Sequence, residues 1–155
     1  MSELIIYTDG ACSGNGKEDA KAGWAYVVLN EKDEIVAEDN NGIEKGTNNI
    51  GELTAIFKAL EYINSLDLKT ITHVTLFSDS SYCLNGILDW SKNWKKNDWW
   101  RDSKKTKELK NRDLWKNLDA EIEKCKITLQ FEKVKGHSGD KWNDYVDKAA
   151  VQHTH

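Results

Sequence analysis

The chain has 155 residues and no proline. Its turns must therefore rely on Gly, Asn and Asp. It has three cysteines, Cys12, Cys83 and Cys125, an odd and widely spaced set. That pattern excludes a disulfide framework and a paired-cysteine zinc motif, and a reducing cytoplasm is the expected compartment. No apolar run approaches the roughly 20 residues that span a bilayer. No basic segment followed by an apolar stretch opens the chain, so neither membrane insertion nor a secretory signal is expected. Net charge is small, −4, which by itself argues against a nucleic-acid partner.

The distribution of charge says otherwise. Lys92 to Arg112 holds nine Lys/Arg against three Asp/Glu, a local +6, so the remainder carries −10. Such asymmetry can place a basic binding face beside an acidic metal site. A solvated helical face is the plain reading of a charge run. Here Trp90, Trp94, Trp99 and Trp100 lie in or beside it, and flat rings among cations suit phosphate, sugar and base contacts.

Hydrophobic periodicity predicts strands over Leu4 to Asp9, Ala22 to Leu29, Glu34 to Asn41, Thr72 to Ser78 and Ile127 to Val134. It predicts helices over Ile50 to Asn64, Ser80 to Asp89, Arg112 to Lys124 and Asp140 to Val151, with a short one in residues 90–100. The order indicates one α/β domain, a mixed sheet with helices on its faces. Residues 151–155, with His153 and His155, read as a frayed tail.

Four acids stand out. Asp9 ends the first predicted strand and precedes Gly10; an Asp-Gly turn is the alternative. Asp79 ends the fourth strand; a helix N-cap is the alternative. Glu52, three residues after Asn49, fits a capping box. Yet Glu52 shares a stripe with Ile56, Ala59 and Ile63 that should face the sheet, where an unpaired carboxylate is costly. Asn143 and Asp147 share a face of the last helix. Acids converging from separate elements suit hard cations such as Mg²⁺, and a pair of ions would account for all four.

These residues lie in strings that resemble type 1 ribonuclease H. The strings are Thr8-Asp9-Gly10, Thr47-Asn48-Asn49 with Glu52, Asp79-Ser80 with Tyr82, Val134-Lys135-Gly136-His137 with Gly139, and Asn143 with Asp147. Asn93-Trp94-Lys95-Lys96 and Asp113-Leu114-Trp115 match too, so the resemblance runs in the family's order over residues 4–150. It implies a five-stranded mixed sheet, three antiparallel strands plus two parallel, flanked by helices. It implies hydrolysis of the RNA strand of RNA–DNA hybrids, giving 5′-phosphate and 3′-hydroxyl ends. Carried over, Asp9, Glu52, Asp79 and Asp147 are the ligands of two Mg²⁺ ions, with Mn²⁺ as a substitute, and Asp9 bridges them. His137 assists proton movement or product departure; a solvated loop histidine is the alternative.

The same resemblance suggests the substrate contacts. Asn15, Asn48 and Asn49, with the backbone near Cys12 and Gly14, are candidates for sensing 2′-hydroxyls, against a plain turn or cap role. Trp94 packs on a deoxyribose, while Trp90 and Trp115 read as core. Lys95 and Lys96 hold phosphates of the DNA strand, and Thr47 with Asn15 forms a phosphate pocket. Three departures stand out: Asn97-Asp98 interrupts the basic segment, Ser81 replaces a common Gln, and the loop from Asn15 to Gly23 is long. The expected state is a monomer with a hybrid duplex as its partner. A non-catalytic hybrid-binding module and a protein-interaction domain are the competing readings.

Overall fold

The computed structural model describes residues 3–14, 20–66, 70–134 and 141–154. Alternating apolar residues form β1 (Glu3–Ser13), β2 (Lys21–Leu29), β3 (Ile35–Glu44), β4 (His73–Ser78) and β5 (Thr128–Lys133). They make one five-stranded sheet in the order β3-β2-β1-β4-β5. The pairs β1/β2 and β2/β3 are antiparallel, whereas β1/β4 and β4/β5 are parallel. This is the mixed α/β sheet expected from the sequence.

The two-residue period sorts the side chains to two faces. Leu4, Ile6, Trp24, Tyr26 and Val28 join the larger core, under α1 (Asn48–Asn64). Ala25, Val27 and Leu29 face the other way and pack with Val146 and Ala150 of α5 (Lys141–Val151). In α1 the residues Leu53, Ile56, Leu60 and Ile63 are fully buried, the stripe its three-and-four spacing demands. Trp115 and Leu118 bury α4 (Arg112–Lys124) in the same core.

The structure departs from expectation in three places. β1 continues past Asp9, because pairing with β2 persists to Ser13 opposite Lys21. Its parallel pairing with β4 stops at Tyr7 opposite Phe77. Asp9 therefore lies inside a strand, just beyond the end of the parallel ladder. The chain after β4 is three short pieces: α2 (Ser81–Asn85), a π turn (Gly86–Trp90) and α3 (Ser91–Lys96). Gly86 is needed there, since a Cβ would meet the Trp115 ring at 2.0 Å.

The tail is the third departure. Gln152–Thr154 forms a 3₁₀ turn against the sheet, and Thr154 is buried. Ser13 Oγ donates to the Thr154 carbonyl at 2.6 Å. The Asn40 Oδ1 accepts from Gln152 Nε2 at 3.0 Å and lies 2.7 Å from His153 Nε2. The frayed-end reading fails for these residues because tertiary partners, invisible in the local sequence, satisfy them; His155 lies outside the described residues. Deleting residues 152–155 is expected to lower stability by about 1–3 kcal/mol, the sum of a few net hydrogen bonds. A urea titration checks this, and an unchanged midpoint would return the tail to a loose end.

Candidate active site

Asp9, Glu52 and Asp79 come together from three elements. Each offers a carboxylate oxygen, and these oxygens lie within 4.8 Å of one another. The two competing capping roles are taken by other residues. The N-cap of α1 is Thr47, whose Oγ1 accepts from the Ile50 amide at 3.2 Å. The N-cap of α2 is Ser80, whose Oγ accepts from the Cys83 amide at 3.1 Å. Glu52 and Asp79 are thus released from capping.

Gly10 makes the convergence possible. A Cβ on it would stand 2.2 Å from the Glu52 amide nitrogen, so α1 can lie this close to β1 only over a residue without a side chain. The Gly10 amide donates to Asp9 Oδ1 at 2.8 Å. Asp9 and Glu52 keep 2% and 4% of their surface. Asp147 is exposed on α5. It stands close enough for its charge to act on both Asp9 and Asp79.

Burial and mutual repulsion make these acids reluctant to ionise. Burial pushes Asp9 up to about 7, with the charges of Asp79 and Asp147 adding to the rise. Burial lifts Glu52 well above the usual carboxylate range, helped by the Asp9 charge. Asp79 is raised by burial and by Asp147, against the pull of the Lys133 cation. Glu52 Oε2 is buried with no hydrogen-bond partner. Three clustered carboxylates, one with an orphaned buried oxygen, form an all-oxygen donor set that fits a hard divalent cation.

A family model described as RNase H matches residues 1–155. The chain belongs to the ribonuclease H family. It is 40% identical over 153 residues to a Ribonuclease H of Clostridium botulinum, covering 97% of this chain and 94% of that one. It is 42% identical over 151 residues to a Ribonuclease H of Ruthia magnifica, covering 97% and 94%. Among solved structures, the foamy viral protease-reverse transcriptase in complex with RNA/DNA hybrid shares the fold. The TM-score is 0.83 at 20% identity, over 98% of this chain and 20% of that one.

Around these acids the other anticipated residues have mixed fates. Asn15 and His137 lie outside the described residues. Cys12 is half-buried and its thiol donates to the Gly46 carbonyl at 3.3 Å; Gly14 follows it with φ of 68°. Asn48 is exposed and Asn49 half-buried in the first turn of α1, while Asn143 is buried on α5. Lys95 does not have a free charge. Its Nζ sits 2.7 Å from Asp119 and 2.9 Å from Glu123 and so ties α3 to α4. Lys96 is exposed beside it.

The tryptophans reverse their expected exposures. Trp94 is 9% exposed and Trp90 41%. Trp94 packs between Trp90 and Trp115, with ring centroids 5.9 and 5.0 Å away. Trp115 is core as expected, and its Nε1 donates to the Tyr82 hydroxyl at 3.1 Å. Tyr82, Trp90 and Trp94, with Arg101 and Lys110, line a cavity of about 390 Å³. Tyr82 and Arg101 were not anticipated as pocket walls; their positions on either side of the Trp90 to Trp100 run were the available signal.

A buried acid that resists ionisation opposes folding at neutral pH. As pH rises from the ordinary 3.8 towards about 7, an unfolded Asp9 has already lost its proton while the folded one holds it, so stability falls. Asp9→Asn and Glu52→Gln are therefore expected to stabilise the metal-free protein at pH 8 by about 1–3 kcal/mol, with little gain at pH 4. Thermal melts in chelator decide it; two variants that melt no higher than the parent at pH 8 would show that the cluster is not repulsive.

Proposed function

We propose that this protein is a metal-dependent endoribonuclease that hydrolyses the RNA strand of RNA–DNA hybrids, acting as a single-domain cytoplasmic monomer. The observation that carries this is the convergence of buried Asp9 and Glu52 with half-buried Asp79 in a member of the ribonuclease H family. A non-catalytic binding module has no use for three carboxylates held against their own repulsion. Support for the substrate comes from the fold shared with a structure solved on an RNA/DNA hybrid. No described helix is long and apolar enough to cross a membrane.

In this reading Asp9, Glu52, Asp79 and Asp147 would hold two Mg²⁺ ions, or Mn²⁺ in their place. When bound, such ions supply Lewis acidity that activates a water and offsets charge on the leaving 3′-oxygen. The carboxylates orient that chemistry on one phosphate, giving 5′-phosphate and 3′-hydroxyl ends. Glu52, in its dry pocket, fixes one side of the site, while exposed Asp147 closes the side facing solvent. His137 moves a proton or helps product depart.

Recognition falls to groups at either side. Asn48 and Asn49, with Asn15, Asn143, Ser81 and the backbone at Cys12 and Gly14, face the RNA strand, where 2′-hydroxyls can be sensed. Thr47 and Asn15 flank a phosphate. The 390 Å³ aromatic cavity takes the DNA strand, with Trp94 as floor and Trp90 as the accessible ring against a deoxyribose. Lys95 already has two carboxylate partners, so Lys96, Arg101 and Lys110 are better placed to meet the phosphates.

A fluorescent RNA–DNA duplex, incubated with and without Mg²⁺, tests the reading. Cleavage of the RNA strand is expected only with the ion, and RNA duplex, DNA duplex and single strands are expected to stay intact. Asp9→Asn should leave almost no activity, whereas His137→Ala should lower kcat and leave a measurable rate. Binding without cleavage would favour the hybrid-binding module. Equal, mild losses in the two variants would overturn the roles given to them.

A further inference from the structure

The parallel strands β1, β4 and β5 run the same way, and in such sheets ligands gather beyond the carboxyl ends. β1 brings Asp9 to that edge and β4 leads into Asp79. The third strand, β5, ends on Lys133, paired in register with Ser78. Its side chain is exposed and its Nζ donates to Ser81 Oγ at 2.5 Å. Its charge is felt by Asp79. A cation has therefore been set on the rim of an acidic cluster by the same geometry that assembles the cluster.

The partner of this lysine matters. Lys95 is neutralised by Asp119 and Glu123, Lys105 by Asp98, and Lys124 by Glu121. Lys133 instead rests on a neutral hydroxyl. The hydroxyl fixes the position of the ammonium without cancelling its charge, leaving two further N–H donors for an anion. Ser81 is short, so the long Lys133 side chain, lying over it, supplies the reach that Ser81 lacks.

Resting on the hybrid-nuclease reading above, we propose that Lys133, positioned by Ser81, is a substrate-binding residue that grips a phosphate of the RNA strand next to the one cut. β5 is the next strand beyond β4 in the sheet, so a strand with its phosphodiester at Asp9 and Asp79 can run on past the end of β5. A flanking phosphate there meets an ammonium that makes no ion pair with a carboxylate among the described residues.

Fluorescence anisotropy of a labelled hybrid, in chelator and over a range of salt, reads this without requiring turnover. Lys133→Ala is expected to weaken binding about 3- to 10-fold near 0.1 M salt. It should also flatten the dependence of log K on log salt by about 0.7–0.9, the loss of one phosphate contact. Lys133→Arg should retain both affinity and slope, and in the cleavage assay Lys133→Ala should raise KM more than it lowers kcat. Hybrids carrying one neutral methylphosphonate, scanned along the RNA strand, should include a position that weakens the parent and leaves Lys133→Ala unaffected. An unchanged slope, or an equal loss in Lys133→Arg, overturns the proposal while a parent protein that binds and cuts hybrid leaves the nuclease reading intact. A parent that neither binds nor cuts hybrid overturns both.

Discussion

The close approach of α1 to β1 at Gly10 is the constraint from which the site follows. No residue with a side chain can occupy that point, because the Glu52 amide stands 2.2 Å from where its Cβ would be. Two carboxylates are thereby pressed into a space with almost no water. Their negative charge can be carried there only if protons remain bound or a cation shares the oxygens. The raised values of Asp9 and Glu52 and the orphaned Glu52 Oε2 are two signs of one condition: a site built for a positive charge. Thr47 and Ser80 complete the arrangement by taking over the caps, which frees the acids of their helices from local duty.

The remainder of the molecule sorts its charge around that site. The cations of the Lys92 to Arg112 segment are not all available. Lys95 and Lys105 are spent on neighbouring carboxylates, and Arg112 lies over the Trp100 ring with its Nε donating to the Trp99 carbonyl. These contacts order the segment as a platform. Of the cations left over, Arg101 and Lys110 line the aromatic cavity, while Lys133, outside this segment, stands at the end of β5.

Much of this was legible in the sequence. The alternation in β1 and β2 and the apolar stripe of α1 gave the sheet and its main helix, and the stripe pointed Glu52 inward. What was not legible came from contacts between distant residues. The π turn at Gly86–Trp90 carries an extra residue per turn that no local pattern announces, and Trp94 is buried by its contacts with Trp90 and the distant Trp115. Lys95 looked free because Asp119 and Glu123 are remote in sequence. The tail looked loose because Asn40 and Ser13, which hold it, belong to β3 and β1. Asp147 was read as an equal member of the acid set, yet it lies exposed beside buried Asp9 and Glu52 and half-buried Asp79.

A divalent cation in this site would compete with protons for the oxygens of the acid cluster. Titration calorimetry of Mg²⁺ into the protein, repeated in buffers of different ionisation enthalpy, counts the protons expelled on binding. Binding near pH 6.5 should release protons, in a number that falls towards zero as pH climbs well above 7. Binding with no proton release at any pH, or no binding to the folded protein, would contradict the account.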